Sequence, residues 1–447
     1  MTEFTEVKPL GEMLAEGRAL RERVPRSAHG VAVAADRDPI GILREQNTGR
    51  IPELMPLRMQ RMLATPFAFF RGTAAIMAAD LAVGASTGID VVTCGDAHLS
   101  NFGLYAGPDR VLVFDLNDFD EAAWAPWEWD VKRLAASVVI GGLDRGWSLD
   151  WAAAVTSETV RMYRTALRRY TSLPVLERYY LRGVPGASGA LDTRIAELTR
   201  RSTRKAMRRT GDHAAERMTE IGPDGVRRFR SDPPVLEHVG VEQRGDLTEL
   251  VEAYRSTAST DIAMLMSSYR IVDVARRVVG VGSVGTACYV ALFLGPNDEP
   301  LILQVKQAVE SALVQYGGAQ QPPGVDEFPN GRRVVDCQRI LQAASDPFLG
   351  WLQTPERAFY VRQFRDMKGS VDLESISQTE FAGYAGACAR MLARAHSQSP
   401  ESPVTAGYLG ASRVFDDAIA NWAIGYAKVV DADFVQAREA FADDIEL

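Results

Sequence analysis

Residues that could build a disulfide framework or a zinc site are scarce in this sequence. It contains four cysteines and five histidines among 447 residues, with no CxxC pair and no HExxH motif. We therefore expect neither a structural zinc site nor a redox pair. Such cysteine usage suits a reducing compartment, so a cytoplasmic protein is expected.

Long apolar runs and an excess of positive charge are missing as well. No stretch approaches the roughly 18 apolar residues that a membrane-spanning helix needs. Residues 1–8 are too polar and acidic for a signal peptide. The formal net charge of −8 and the pI of about 5.4 argue against nonspecific nucleic-acid binding, which needs a basic surface. The sequence therefore predicts neither a membrane nor a nucleic-acid partner.

Apolar residues are plentiful, at 46% of the sequence, and they follow two different periods. Spacings of three and four residues predict helices, whereas β-rich runs bounded by glycine and proline predict strands. The length fits two or three domains or one large two-lobed unit. The predicted helices cover residues 52–84, 127–172, 191–218, 245–268, 378–397 and 413–445.

Five predicted strands follow one another late in the chain and should form a small antiparallel sheet. They cover residues 271–279, 286–294, 300–305, 333–341 and 358–365. We therefore expect an α+β protein with two lobes. Residues 1–235 and 376–447 would form a mainly helical lobe, and residues 236–375 a small β-rich lobe.

Two acidic stretches each lie next to a predicted strand. The first is a Gly-Asp turn that holds Asp96 and Asn101. The second holds Asp115, Asp118 and Asp120. Moving a phosphoryl group needs a carboxylate near the acceptor hydroxyl, and an Asn and an Asp that hold Mg²⁺. Asp96 could be that carboxylate, with Asn101 and one of the three other aspartates on the metal. The alternative is that both stretches are plain turns.

A glycine-rich stretch has the pattern GxGxxG at Gly280, Gly282 and Gly285. Strands are predicted on both sides of it, whereas a dinucleotide-binding motif needs a helix at the third glycine. A hairpin that covers phosphates fits better, because the missing side chains let backbone N–H groups approach anionic oxygens. Ser283 and Thr286 belong to the same expected loop.

Lys306 ends the next apolar strand, from which it could reach the phosphates of a nucleotide. Its orienting carboxylate would be Glu310 or another acid on the following helix. The alternative is an edge lysine that prevents pairing with a second sheet.

The stretch from Gly95 to Asn101 resembles the GDLHxxN loop of aminoglycoside phosphotransferases and related small-molecule kinases. Asp118-Phe119-Asp120, with Pro126 and Asp130 after it, is similar to that family's DFxDA segment and the residues that follow. The resemblance implies that Asp96 orients or deprotonates the acceptor, while Asn101 and Asp118 hold Mg²⁺. Cys94 stands where that family usually has His.

The identity of the metal-binding aspartate stays open at this point. By spacing from Asp96 alone, Asp115 fits slightly better than Asp118, and Asp120 is a third choice. We favour Asp118.

The two halves of this site occur in the reverse of the usual order. In ordinary kinases the glycine loop and lysine come first and the acidic loops later. Here the helix at 378–397 resembles the one that normally precedes the catalytic loop. We therefore expect a bilobed, protein-kinase-like fold that is circularly permuted. Residues 364–367, among them Phe364, Asp366 and Met367, would form the hinge and contact adenine through their backbone.

The chain as a whole also resembles a bacterial family of unknown function, DUF2252. The recognisable segments cover residues 65–72, 95–103, 117–133 and 360–370. This resemblance implies a kinase-like fold and brings no established reaction.

The sequence thus predicts a phosphotransferase that moves the γ-phosphate of ATP, with Mg²⁺, to a hydroxyl group on an unknown small molecule or peptide. Two alternatives stay open, namely a nucleotide-binding scaffold without catalysis and an AMP transferase on the same fold. Arg71 and Arg133 are either buried partners of the carboxylates or substrate anchors. The basic helix at 194–217 is a solvated face or grips an anionic or peptide substrate.

Overall fold

The computed structural model describes residues 7–31, 37–184, 196–209, 211–239, 247–278, 280, 284–364 and 367–445. Helices and strands both contribute, so the fold is α+β. The first helices are α1 Leu10–Arg23, α2 Pro39–Thr48, α3 Met55–Met62, α4 Pro66–Gly72, α5 Ala74–Ala82, α6 Trp127–Asp144, α7 Leu149–Thr171, α8 Val175–Tyr179 and α9 Ala196–Met207. The others are α10 Gly211–Met218, α11 Leu247–Arg255, α12 Thr260–Met266, α13 Ala312–Gln315, α14 Asn330–Leu341, α15 Gln378–His396, α16 Ser402–Leu409, α17 Val414–Ala440 and α18 Ala442–Ile445.

The strands of the described residues fall into one large sheet and three two-stranded pairs. The pairs are β1 with β4, β2 with β3 and β5 with β6, and the large sheet has the order β11-β12-β10-β9-β8-β7. Their bounds are β1 Asp90–Thr93, β2 Phe102–Ala106, β3 Leu112–Leu116, β4 Ala123–Pro126, β5 Thr219–Ile221, β6 Arg227–Phe229, β7 Leu236–His238, β8 Arg270–Arg277, β9 Cys288–Leu294, β10 Pro300–Ala308, β11 Gly350–Gln353 and β12 Ala358–Gln363.

The helical part of the molecule is built around α6. Every residue of this helix except Leu143 and Asp144 is buried, because α7, α15 and α17 all pack against it. Helix α15 starts with a capping box, in which Ser377 and Glu380 each satisfy the other's backbone N–H. Since α6 begins directly after β4, its buried first turn lies beside the acidic loops.

The large sheet is antiparallel and covered on both faces. Helices α11 and α12 contribute to the apolar cluster around Tyr254, Ile262 and Phe293, and α10 contributes to the cluster around Phe229 and Leu292. Strand β10 lies inside the sheet, where Lys306 is opposite Cys288 on one neighbour and Tyr360 on the other. Lys306 is therefore not an edge lysine.

Six strands form this sheet where five were predicted, and one of the predicted five is wrong. Residues 333–341 form most of α14, because Val334, Val335, Gln338 and Leu341 are buried at a helical spacing. The consecutive valines Val334 and Val335 raise the strand propensity of this segment. Strands β11 and β7 lie in segments for which no strand was predicted from the sequence. The predicted strands at 271–279, 286–294 and 300–305 correspond to β8, β9 and β10.

The four cysteines lie in described residues, and each is free and buried. In that part of the chain, no helix combines the length and the apolar character needed to cross a membrane.

Lys132 on α6 is a charged residue in the core, with 1% of its surface exposed. Burial lowers its pKa to about 8, with Glu128 opposing the shift. Its ammonium lies 5.2 Å from the ring centre of Trp422. Burying a cation costs free energy at every pH where the side chain is charged in both the folded and the unfolded chain.

We expect Lys132→Met to raise the free energy of unfolding at pH 7 by about 1 to 3 kcal/mol. The gain is at the lower end of this range if loss of the contact with Trp422 offsets part of it. Between a folded pKa of about 8 and the ordinary value of 10.5, the unfolded wild-type chain binds more protons than the folded one. Wild-type stability therefore rises with pH in that window, and the advantage of the variant should disappear above it. Urea unfolding at a series of pH values measures this, and a gain that persists above pH 10.5 would contradict it.

Candidate functional site

Strand pairing brings the two acidic loops side by side. Because β1 pairs with β4 and β2 with β3, residues 94–101 and 117–122 leave the strands at neighbouring positions. The N–H of Asn117 donates to the carbonyl of Asn101 over 2.9 Å. Gly95 has φ +80°, and a Cβ there would lie 2.0 Å from the carbonyl oxygen of Glu121. Glycine is thus required for the loops to approach this closely.

Asp96 faces the cleft between these loops and the sheet, with one oxygen anchored. Arg133 Nε donates to Asp96 Oδ1 over 2.7 Å, which supports the interpretation of Arg133 as a carboxylate partner. The side chain of Asp96 is 17% exposed, and its Oδ2 lies 3.5 Å from His98 Nε2. Burial lowers the pKa of His98 to about 4, although the charge of Asp96 opposes the shift. His98 is therefore neutral near pH 7.

A buried chain of polar groups holds the Asp96 loop from behind. The carboxylate of Asp130 accepts from the N–H groups of Cys94 and Gly95 over 2.9 and 3.0 Å. His396 Nε2 lies 3.1 Å from the same carboxylate and donates to it, and its Nδ1 lies 2.7 Å from the hydroxyl of Tyr163. Asp130 on α6 and His396 on α15 therefore brace the loop at Cys94 and Gly95 from two helices.

We expect Asp130→Asn to lower the free energy of unfolding by about 2 to 3 kcal/mol, because an amide replaces a buried charged acceptor and turns a donor toward backbone donors. Urea unfolding at pH 7 measures the loss. Asp150→Asn, at an exposed position at the start of α7, removes the same charge and should change little. Equal stability of the Asp130 variant and the wild type would show that this bracing does not stabilise the loop.

The three candidate metal aspartates have different surroundings. Both carboxylate oxygens of Asp115 accept backbone N–H groups, from Leu116 over 2.9 Å and from Ala343 over 3.1 Å. Asp115 is 1% exposed, and burial raises its pKa. The structure thus places both oxygens of Asp115 in backbone contacts, and Asp115 is not among the described residues that line the two cavities of the cleft.

Asp120 and Asp118 both lie toward the sheet. Asp120 contacts the ammonium of Lys306 through one oxygen and accepts from the hydroxyl of Tyr360 over 2.9 Å through the other. Burial alone would raise the pKa of Asp118, but the charges of Lys306, Arg362 and Lys368 outweigh it and lower the value. Asp118 is therefore held ionised by nearby cations.

Lys306 is 3% exposed and meets the acidic loops across the cleft. Burial would lower its pKa, yet Asp118 and Asp120 raise it well above the ordinary value. The predicted partner Glu310 is exposed and borders a separate surface cavity. The carboxylate that pairs with Lys306 is therefore Asp120, which lies 186 residues away in the chain, because the strand points Lys306 into the cleft and the chain then turns away.

Two cavities meet at Asp118 and Gly280, which line both of them. The larger has a volume of about 520 Å³ and the smaller about 120 Å³. Asp96, Asn101, Asp120 and Thr286 face the smaller cavity. The larger cavity is lined by six cationic side chains, namely Arg110, Arg209, Arg277, Lys306, Arg362 and Lys368.

The predicted glycine loop and hinge are described in part. Gly285 has φ +89° and packs against Met55 and Arg50, while Gly282, Ser283 and Asp366 lie outside the described residues. The N–H groups of Phe364 and Met367 already donate to the carbonyls of Ile302 and Arg209, over 2.9 and 2.8 Å. Phe364 lines the larger cavity. For adenine, these two residues could therefore offer the ring of Phe364 or carbonyl oxygens, and not their N–H groups.

Several polar side chains of this site were not predicted from the sequence, although Arg71 was named there as a carboxylate partner or substrate anchor. Within the described part of the chain, Arg50 Nε, Arg71 Nε and Gln46 Oε1 are buried without a hydrogen-bond partner, and all three residues line the smaller cavity. Arg50 lies near the start of the chain, in a segment where no sequence motif indicates a binding residue. Tyr360 and Arg362 lie in the segment at 360–370. The resemblance of that segment to the DUF2252 family is the sequence signal that could have pointed to them.

Asp118 and Asn101 are the residues of the smaller cavity that could hold a metal ion. Among the described residues no three His, Cys, Asp or Glu side chains lie close enough to hold a metal by themselves. Asp118 and the amide oxygen of Asn101 would then be the protein ligands, and phosphate and water oxygens would complete the six that Mg²⁺ prefers. The cationic walls of the larger cavity suit a triphosphate.

Comparison with known proteins gives a family and no activity. No curated protein matches the chain, and no solved structure does. The family model that matches is DUF2252, described as an uncharacterized protein conserved in bacteria, and it covers residues 50–440. The matched region spans both acidic loops, the glycine loop and Lys306, so the chain belongs to the DUF2252 family.

Proposed function

We propose that this chain is a phosphotransferase that moves the γ-phosphate of ATP to a hydroxyl group with the help of Mg²⁺. The observation that carries this proposal is the convergence of two distant stretches on one cleft. Lys306 contacts Asp120 across that cleft, and Asp118 and Gly280 both line the two cavities. Those are the groups that phosphoryl transfer needs in one place.

The order of elements in the sheet supports a kinase-like, circularly permuted fold. A glycine loop joins β8 to β9, β10 carries the lysine, and α14, β11 and β12 follow. Kinases likewise cover the phosphates with a glycine loop and carry their lysine on the strand that follows that hairpin. The helical residues 1–235 and 376–447 would form the second lobe around the acidic loops.

The larger cavity would take the nucleotide. Lys306 and Arg362 point into it from neighbouring strands, where they would neutralise phosphate charge. Gly280 has φ +62°, a conformation that glycine allows at little cost and that would let the loop lie over the phosphates. Phe364 would contact the base.

The smaller cavity would take the acceptor, a small molecule or a peptide side chain. Asp96 lines this cavity, and Arg133 fixes its Oδ1. Asp96 would accept the proton of the acceptor hydroxyl or orient that hydroxyl toward the phosphate. Asp118 and Asn101 would hold Mg²⁺, which neutralises charge on the transferred phosphoryl group.

Nucleotide consumption tests the proposal. The protein is incubated with ATP and a pool of hydroxyl-bearing metabolites and peptides, with Mg²⁺ or with a chelator, and the products are separated by mass spectrometry. We expect ADP and a phosphorylated acceptor to form when Mg²⁺ is present and not when the chelator is present. Formation of pyrophosphate and of an acceptor that carries AMP would show that the protein transfers AMP and not a phosphoryl group. ATP binding without either product would favour a non-catalytic scaffold.

A further inference from the structure

A second large cavity, outside the proposed reaction site, is strongly basic. It has a volume of about 840 Å³ and lies between α9, α10, the end of β8 and the turn before β7. We call it the basic groove. Its charged walls comprise Arg201, Arg204, Lys205, Arg208, Arg209, Arg217, Arg230 and Arg277, together with His213.

Negative charge is nearly absent from the walls of the basic groove. Among the described residues that line it, Asp232 is the single acid. Arg201 also pairs with Glu380 from outside the lining, over 2.8 Å. The chain as a whole carries a net charge of −8, so this concentration of cations runs against its average. Such a groove focuses a positive potential and raises the local concentration of anions.

The chemistry of the walls narrows the class of ligand. Seven of the eight permanent cations are arginines, whose planar guanidinium groups bind carboxylates and phosphates through two hydrogen bonds. No Phe, Tyr or Trp lines the described part of the groove, whereas proteins that bind single-stranded nucleic acid use aromatic rings to stack bases. Ala214, Met218, Val235 and Leu236 contribute apolar surface, which inorganic polyphosphate could not use.

We propose that the basic groove binds an acidic peptide segment of a partner protein, with its carboxylates on the arginines and its apolar side chains on the floor. The groove joins the larger cavity of the proposed reaction site, because Arg209 and Arg277 line both. A bound peptide therefore lies next to the proposed nucleotide position. The proposal concerns binding alone and does not depend on phosphoryl transfer.

Fluorescence anisotropy tests the proposal with a labelled peptide of alternating Glu and Leu residues. The full chain is compared with the double variant Arg204→Glu, Arg208→Glu, whose substituted positions are both exposed. The matched control is Arg168→Glu, Arg169→Glu, which makes the same charge change on exposed positions of α7. We expect the first variant to weaken binding by about tenfold or more and the control to leave it unchanged.

Salt and competitors decide between the possible ligands. Peptide affinity of the wild type should fall as the salt concentration rises, which gives a second readout if the double variant does not fold. Inorganic polyphosphate and single-stranded RNA are titrated against the same labelled peptide. Equal peptide binding by the groove variant and the control would overturn the proposal. Displacement by RNA or polyphosphate at lower concentrations than unlabelled peptide would also overturn it, in favour of those ligands.

Discussion

Asp118→Asn is expected to lower Mg²⁺-dependent ATP turnover by about a hundredfold to a thousandfold, or to abolish it. Asp118 lies where the two cavities meet, and its pKa is lowered by the cations around it. An amide of the same shape keeps the packing and removes the negative charge that would hold Mg²⁺ against the phosphates. Initial rates of ADP formation, with Mg²⁺ in excess, measure the effect.

Two comparisons separate this effect from misfolding. Asp150→Asn removes the same charge from an exposed position and should keep wild-type turnover. Urea unfolding should show that the Asp118 variant is folded but less stable than the wild type, since its half-buried side chain no longer balances the charges of Lys306, Arg362 and Lys368. Turnover of the Asp118 variant at the wild-type rate would reject Asp118 as a metal ligand.

Lys306→Met is expected to remove nucleotide binding and to destabilise the fold by about 2 to 3 kcal/mol. The lysine is 3% exposed and Asp120 is 25% exposed, so loss of the ammonium leaves a partly buried carboxylate to which the hydroxyl of Tyr360 still donates. The same change removes the cation that would meet the phosphates. Calorimetric titration with ATP and Mg²⁺ measures binding, and urea unfolding measures stability.

A double variant separates the two roles of Lys306. Lys306→Met combined with Asp120→Asn removes both charges of the contact, while Arg362 and Lys368 still act on Asp118. This double variant should recover most of the lost stability. It should still bind ATP poorly, because the cation is missing. Recovery of ATP binding in the double variant would show that Lys306 acts on the fold and not on the nucleotide.

Local features of the fold could be predicted from the sequence, because they depend on neighbouring residues. The spacing of apolar residues predicts helices α6 and α7. Turn residues predict the hairpin of β9 and β10 and the turn at Gly95. The error at α14 has a local cause as well. Val334 and Val335 have high strand propensity, but packing of the buried helix face decided the outcome.

Contacts between distant parts of the chain could not be predicted in the same way. Nothing near Lys306 in sequence points to Asp120, since the pair is made by the approach of the sheet to the acidic loops. Arg133 and Asp130 lie on α6 at positions that the helical period assigns to the core, where they bind Asp96 and the N–H groups of Cys94 and Gly95. A buried charge has no signature in sequence until its partner is known.

The proposed function requires that a triphosphate bind between the sheet and the acidic loops. A crystal structure of the protein with a non-hydrolysable ATP analogue and Mg²⁺ tests this directly. The phosphates should lie within hydrogen-bond distance of Lys306 Nζ, under the backbone at Gly280, with the metal on Asp118 and Asn101. An analogue bound away from the cleft between Lys306 and Asp118 would contradict the account.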